Sequence, residues 1–179
     1  SDFLTQGPMV PEFERRLAAY CGGAHAVVVS SATAALHVAC LGLDLGPGDW
    51  LWTSPNSFVA SANCIAYAGG HPVFADVDPA SGLIEVSDLD RRCHALARQG
   101  ASPAAIIPVD FAGHPADLLA VREVARKYGS RVIEDAAHAL GASYRSRGRA
   151  VRCGACEDTE LAILSFHPVK HITTGEGGA

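Results

Sequence analysis

The chain has 179 residues, of which 49% are hydrophobic and 18% charged, and its formal net charge is −5. This length suffices for one domain with a sizeable core, and the composition excludes a disordered segment. The basic residues are scattered, so nothing predicts a nucleic-acid partner, and no apolar run approaches the ~20 residues that cross a bilayer. Because the first residues also lack the basic region of a signal peptide, we expect a cytoplasmic protein.

Helix-like and strand-like segments alternate along the chain. In chain order we predict a helix at 11–21, a strand at 26–29, a helix at 32–41, a strand at 50–53, a helix at 57–68, a strand at 71–75, a helix at 86–99, a strand at 104–108, a helix at 118–128, and strands at 131–134 and 161–166. The predicted strands are apolar and the helices between them amphipathic, which is typical of a parallel or mostly parallel sheet covered on both faces.

Chemically suggestive residues follow the ends of these strands, where ligands bind in such sheets. Ser31-Ala32-Thr33 opens a helix, whose free N–H groups can cradle a phosphate. Asp135 ends another strand, and a carboxylate there can keep a pyridine nitrogen protonated. Lys170 follows the last strand, and a buried lysine can lose its proton and form an imine. Together these three features predict a pyridoxal phosphate (PLP) site, with Asp110 a further polar residue at a strand end.

Each feature also has a plain structural interpretation. Ser30 or Ser31 can serve as an ordinary helix N-cap, Asp135 can cap a helix at 136–140, and Lys170 can be a solvated surface lysine. What favours the PLP site is that all three features occur in one chain, each at a strand end.

Cysteine and histidine patterns predict no metal site. Four cysteines lie singly within apolar helical patterns and are predicted to be buried thiols: Cys21, Cys40, Cys64 and Cys93. Cys153 and Cys156 form a lone CxxC pair, which without a second pair is weak evidence for zinc. The remaining candidates lack metal-ligand spacing: His138, His167 and His171.

Six ordered motifs resemble those of the DegT/DnrJ/EryC1/StrS family of sugar aminotransferases, PLP enzymes of the aspartate aminotransferase (type I) fold. Beginning with Phe3-Leu-Thr-Gln-Gly-Pro8, the similarity runs through the segments 30–36, 53–63, 108–117, 134–141 and 165–178. It covers essentially the whole chain. The resemblance implies an α/β domain with three α/β/α layers and a mostly parallel sheet. Residues 1–179 would form most of the large PLP-binding domain, with a short N-terminal piece and the small C-terminal domain absent.

The resemblance also implies a role for each site residue. Lys170 would form the imine with PLP and shuttle the proton, and Asp135 would bind the pyridine nitrogen. Phe58 would stack on the ring, and His138 would lie near the phenolic oxygen. The phosphate would be held by Ala32, Thr33 and Ser165. The implied reaction is transamination of a nucleotide-linked 4-keto-6-deoxy sugar with L-glutamate as amino donor, in a homodimer.

The resemblance favours one subgroup of the family, and three alternatives stay open. Within the family, Ser31-Ala32-Thr33 and the segment 165–170 are most similar to UDP-4-keto-sugar aminotransferases of pseudaminic acid synthesis, yet both line the cofactor rather than the sugar. His171 beside Lys170 is similar to the related PLP-dependent sugar 3-dehydratases, in which histidine replaces the lysine. A catalytically silent paralogue is the second alternative, which the intact Lys170 and Asp135 disfavour. The third is an inactive fragment, whatever the parent protein does.

Overall fold

The computed structural model describes residues 7–23 and 25–179. The described helices are α1 (Met9–Cys21), α2 (Ala32–Gly42), α3 (Ala60–Tyr67), α4 (Val86–Ala97) and α5 (Leu118–Tyr128). The strands are β1 (Trp50–Thr53), β2 (His71–Phe74), β3 (Pro103–Ile107), β4 (Arg131–Asp135), β5 (Ser143–Ser146), β6 (Arg149–Arg152) and β7 (Leu161–Ile163). A short 3₁₀ turn at Phe111–Gly113 follows β3.

Five of these strands form one sheet in the order β2-β1-β3-β4-β7, and every pairing within it is parallel. Because all five run in one direction, their carboxyl ends meet at one edge. β4 brings Asp135 to that edge opposite Ile163 of β7. The predicted mostly parallel sheet is therefore confirmed.

Helices cover both faces of the sheet and give three layers. On one face α2 and α3 pack on a core that includes Leu36, Ile65 and Ile133. On the other face α4 and α5 pack on a core that includes Leu89 and Val121. The central strands β1, β3 and β4 are largely buried between the two helix layers, as the sequence predicts, whereas the edge strand β2 is half-buried or exposed.

A two-stranded antiparallel hairpin, β5–β6, lies outside the main sheet and was absent from the predicted elements. Its two-residue turn is Arg147-Gly148, and both residues have positive φ, +46° and +80°. Such a turn matches the twist of a hairpin and favours glycine at its second position. Gly148, which follows a segment of alternating side chains, was therefore a signal in the sequence that could have predicted the hairpin.

The predicted buried strand at 26–29 is wrong. Val27 is 66% exposed, and Val29 alone makes a bridge, exchanging hydrogen bonds of 2.9 and 3.0 Å with Gly178. Gly178 also forms a bridge with Ser165. Gly178 therefore lies between the segment 26–29 and the chain that follows β7. Without a continuous ladder to a neighbouring strand, apolar composition alone does not produce a strand.

Other predicted boundaries moved by a few residues. β7 ends at Ile163 instead of Phe166, and α3 begins at Ala60 instead of 57. None of the helices in the described ranges is long and apolar enough to span a membrane. The motif beginning at Phe3 falls mostly outside the described residues.

Candidate active site

A cavity of about 250 Å³ opens at the carboxyl edge of the sheet. All seven predicted site residues line it: Ala32, Thr33, Phe58, Asp135, His138, Ser165 and Lys170. The sheet thus brings together side chains that are far apart in the sequence. Their convergence is an observation of the structure, whereas their individual roles remain proposals.

The N-terminus of α2 forms one wall of the cavity. Ser31 caps the helix, its hydroxyl accepting a hydrogen bond of 3.2 Å from the Ala34 amide. First-turn amides have no partner within a helix, so the Ala32 and Thr33 amides are left to bind a ligand. An anion is favoured there by the amides and by the positive end of the helix dipole. The plain capping interpretation of Ser31 is confirmed and is compatible with this second role.

Gly178 supports that wall from behind. A Cβ atom at this position would lie 2.3 Å from the Ser31 carbonyl carbon and 2.4 Å from the Ala32 nitrogen, both backbone atoms. Only a residue without a side chain lets the two segments approach this closely. The start of α2 is therefore fixed by contact with the segment after Lys170.

Asp135 lies at the base of the cavity and is 4% exposed. The Ser61 hydroxyl donates a 2.6 Å hydrogen bond to its Oδ2, and the Ala137 amide donates to Oδ1 at 3.2 Å. Burial raises the pKa of Asp135, while these hydrogen bonds and the nearby His138 and Lys170 lower it. A further cation facing this carboxyl would stabilise its ionised form. The alternative that Asp135 caps a helix is wrong, since turns follow it.

Lys170 is half-buried in a turn after β7, where its amide donates to the His167 carbonyl at 2.9 Å. Burial lowers the pKa of its ammonium group below the ordinary lysine value, and the charge of Asp135 opposes that shift. A lysine with a lowered pKa has a larger neutral fraction and is the better nucleophile. Lys170 and Asp135 therefore face one cavity and interact electrostatically.

Two aromatic residues flank the cavity. Phe58 is 71% exposed at its mouth, an apolar ring left open to a planar ligand. Burial lowers the pKa of His138, and the charge of Lys170 lowers it further, which favours the neutral imidazole.

Sequence reasoning missed Ser61 as a functional residue. It is fully buried in α3 and touches Asp135 across 74 positions of sequence. It lies within the motif at 53–63, yet one serine among several carries no signal of its partner.

The fold and site define an open parallel α/β domain with a helix N-terminus, a buried carboxylate and a lysine around one cavity. The chain belongs to the DegT/DnrJ/EryC1/StrS aminotransferase family, which it matches over residues 1–179.

Similar proteins and solved structures support this placement. The spore coat polysaccharide biosynthesis protein SpsC of Bacillus subtilis is 39% identical over 99% of this chain. Among solved structures, DesV of S. venezuelae is 36% identical with a TM-score of 0.86, covering 97% of this chain and 44% of its own. PseC of Helicobacter pylori, described as an aminotransferase involved in pseudoaminic acid biosynthesis, is 32% identical with a TM-score of 0.83, covering 99% of this chain and 45% of its own. The chain spans 43% of the length of SpsC.

The residues present fit pyridoxal phosphate. The free amides of α2 suit its phosphate, the exposed Phe58 ring suits its planar ring, and Asp135 suits a protonated ring nitrogen. Lys170, with its lowered pKa, suits its aldehyde. Putative sugar aminotransferase Spr1654 of Streptococcus pneumoniae, 30% identical with a TM-score of 0.85, has been solved in a PLP form.

Proposed function

We propose that the protein is a PLP-dependent aminotransferase that acts on a sugar. The observation that carries the proposal is the placement of Lys170 and Asp135 on one cavity beside the N-terminus of α2. An imine-forming amine, a carboxylate for a ring nitrogen and an anion cradle are the three groups that this chemistry requires. Family membership over residues 1–179 gives independent support.

When bound, PLP supplies the electron sink that stabilises a carbanion next to nitrogen. The protein's own residues do the rest. Lys170 would hold the cofactor and would serve as the general base and acid that moves the proton. Asp135 would keep a ring nitrogen protonated through a charge-assisted hydrogen bond, and the Ser61 hydroxyl orients that carboxylate. Phe58 would cover the planar ring and exclude water from it.

The substrate that we propose is a nucleotide-linked 4-keto-6-deoxy sugar, specifically a UDP-linked N-acetyl hexosamine, with L-glutamate as amino donor. Similarity to PseC is consistent with this choice, as is the match of Ser31-Ala32-Thr33 and of 165–170 to that subgroup. Both motifs lie at the cavity for the cofactor, so they support transamination more strongly than they support one particular sugar.

We further propose that residues 1–179 are the large PLP-binding domain and that the working enzyme is a homodimer. Exposed apolar side chains at and beside the cavity mouth support an additional covering surface: Phe58, Val59, Val169 and Ile172. Transamination is preferred over dehydration because Lys170 is present. A lysine can both form the imine and move the proton, whereas a histidine can only move the proton.

Replacing Lys170 tests the proposal. The full-length protein with added PLP should show a visible imine band that glutamate bleaches, and Lys170→Ala should lose that band together with at least about 100-fold of turnover. Lys127→Ala is the matched control. Lys127 lies on α5, is exposed, and forms a salt bridge with Asp90 of α4. Near-normal transamination by Lys170→Ala would show that Lys170 is not the catalytic amine.

A competition assay tests the substrate. With glutamate as donor, we expect the full-length enzyme to aminate a UDP-linked 4-keto sugar faster than dTDP- or GDP-linked keto sugars. A clear preference for a dTDP- or GDP-linked substrate would overturn the subgroup while leaving the cofactor chemistry intact.

A further inference from the structure

A second cluster of titratable groups adjoins the cavity, which one of its members, Asp110, lines. Asp110, Glu134 and Cys153 have side-chain ligand atoms within 4.8 Å of one another. None of the three is more than 1% exposed. The function proposed above gives Glu134 and Cys153 no role. Two carboxyl groups this close in a dry interior cannot both be ionised without a large cost.

Each of the two carboxyl groups has one satisfied and one unsatisfied oxygen. Asp110 Oδ1 accepts from the Ala116 amide at 2.9 Å, and Glu134 Oε2 accepts from the Gly154 amide at 3.0 Å. Asp110 Oδ2 and Glu134 Oε1 are buried and have no donor among the described residues. A proton held between them would make one oxygen a donor and the other its acceptor, which satisfies both at once.

The pair is joined to the cofactor carboxylate by the backbone. Glu134 directly precedes Asp135 in β4. The Asp110 amide donates to the Asp135 carbonyl at 3.0 Å, and the Asp135 amide donates to the Pro108 carbonyl at 2.9 Å. The ends of β3 and β4 are thereby fixed together. The charge of Asp135 raises the pKa of Asp110, and this repulsion between the two carboxyl groups is mutual.

We propose that Asp110 and Glu134 share one proton and act as positioning residues for Asp135. The shared proton limits the pair to a single negative charge, so that Asp135 can remain ionised beside it. The hydrogen bond between the two side chains also links β3, β4 and the turn at Gly154. The part of this inference that concerns the cofactor rests on the proposed function, while the shared proton does not.

Among the described residues, the groups that act most strongly on the pair include no cation. Burial raises the pKa of both Asp110 and Glu134, and their mutual repulsion raises that of Glu134 further. The other titratable groups that interact with the pair are all acids, contributed by α1, β4, β5 and the turn after β6: Cys21, Asp135, Tyr144, Cys153 and Cys156. Among the described residues a proton is therefore the available counter-charge.

A metal ion is the competing occupant, and the donor set disfavours it. Three donors converge among the residues that the structure describes, and one oxygen of each carboxylate already accepts a hydrogen bond from a backbone amide. A divalent ion here would also need further ligands, for which a fully buried site offers little room. A shared proton requires no additional ligand.

Glu134→Gln tests the shared proton without any cofactor. The glutamine oxygen can accept from Gly154 and its NH₂ can donate to Asp110, so the variant reproduces the protonated side chain. For wild type, a raised carboxyl pKa means that the folded state binds more protons than the unfolded state, so stability falls as pH rises above 4.5, the usual glutamate value. Glu134→Gln removes this dependence.

In the cofactor-free full-length protein we expect the Tm of Glu134→Gln to match wild type at about pH 5 and to exceed it increasingly up to about pH 8. Infrared difference spectra at neutral pH should show a protonated-carboxyl band in the wild type that is absent from Glu134→Gln. Parallel Tm profiles with no difference band would overturn the shared proton. So would a stoichiometric metal in purified wild type that is absent from Glu134→Gln.

Glu134→Met tests the positioning role. It leaves Asp110 Oδ2 and the Gly154 amide without partners, so we expect a lower Tm at every pH. In the PLP-loaded protein the pH midpoint of the cofactor absorption band should shift for Glu134→Met and return toward wild type for Glu134→Gln. An unshifted midpoint in Glu134→Met would overturn the link to Asp135. If the wild type fails to bind PLP, as well as either variant, the result would count against the proposed function and not against the shared proton.

Discussion

At the scale of single residues, the site depends on one buried hydrogen bond. Asp135 is 4% exposed, and burial by itself favours the neutral acid. The 2.6 Å bond from Ser61 acts in the opposite direction because a donor to a carboxylate stabilises its charge. The ionisation of Asp135 therefore depends in part on Ser61, which also lines the cavity.

Ser61→Ala should weaken that ionisation. Without the donor the pKa of Asp135 rises further, so the acid limb of the pH–rate profile of the full-length enzyme should move to higher pH. Leaving the buried acceptor unpaired should also cost about 1–3 kcal/mol of stability. Ser87→Ala, at an exposed position on α4, is the control and should change neither quantity. An acid limb that coincides with wild type would contradict the role given to Ser61.

The contact between Ser61 and Asp135 shows how far the site could be predicted from the sequence. The convergence of Lys170, Asp135 and Thr33 on one cavity could be predicted because each lies at a strand end or helix start, which is a local signal. Ser61 and the pairing of Asp110 with Glu134 were not, because their meaning comes from partners that only the folded sheet brings near. Sequence distance, 74 positions in the case of Ser61, hides such contacts.

At the scale of elements, α2 has its N-terminus fixed from two sides. Ser31 caps it from within the chain, and Gly178 packs against its first backbone atoms. Since the free amides of this turn are the proposed phosphate cradle, their position depends on a segment more than 140 residues later.

Gly178→Ala should displace the start of α2. The added methyl group would meet backbone atoms that cannot rotate away, so we expect a loss of about 1–3 kcal/mol of stability and weaker retention of PLP in the full-length protein. Gly42→Ala is the matched control, since a Cβ there meets nothing within 4 Å and alanine favours helix. A Gly178→Ala variant with unchanged Tm and PLP affinity would show that this approach does not hold the helix.

The elements that were mispredicted share a cause. The segment 26–29 has strand composition, yet a strand forms only where a neighbour supplies a hydrogen-bonding ladder, and Gly178 alone pairs with Val29. The hairpin β5–β6 lacks a continuous apolar run, yet it forms because Arg147 and Gly148 adopt a turn that aligns its strands. Period and composition predict burial well, and pairing less well.

At the scale of the whole molecule, the two helix layers differ in what they leave exposed. The layer of α4 and α5 presents charged pairs to solvent, such as Lys127 with Asp90. The layer of α2 and α3 exposes Val38, Leu41 and Tyr67. An exposed apolar face of this kind marks a surface that another element or subunit covers. This asymmetry agrees with the proposed homodimer.

A charge placed beside the cavity should therefore disturb assembly. Val59 is 58% exposed directly before α3 and adjacent to Phe58 at the cavity mouth. In the full-length protein, Val59→Glu should shift sedimentation from dimer toward monomer, because burying an unpaired carboxylate in an apolar interface is costly. Ser87→Glu adds the same charge on the opposite layer and should leave the dimer intact. If Val59→Glu also sediments as a dimer, the interface lies elsewhere on the molecule. A wild type that is monomeric at micromolar concentration would contradict the homodimer itself.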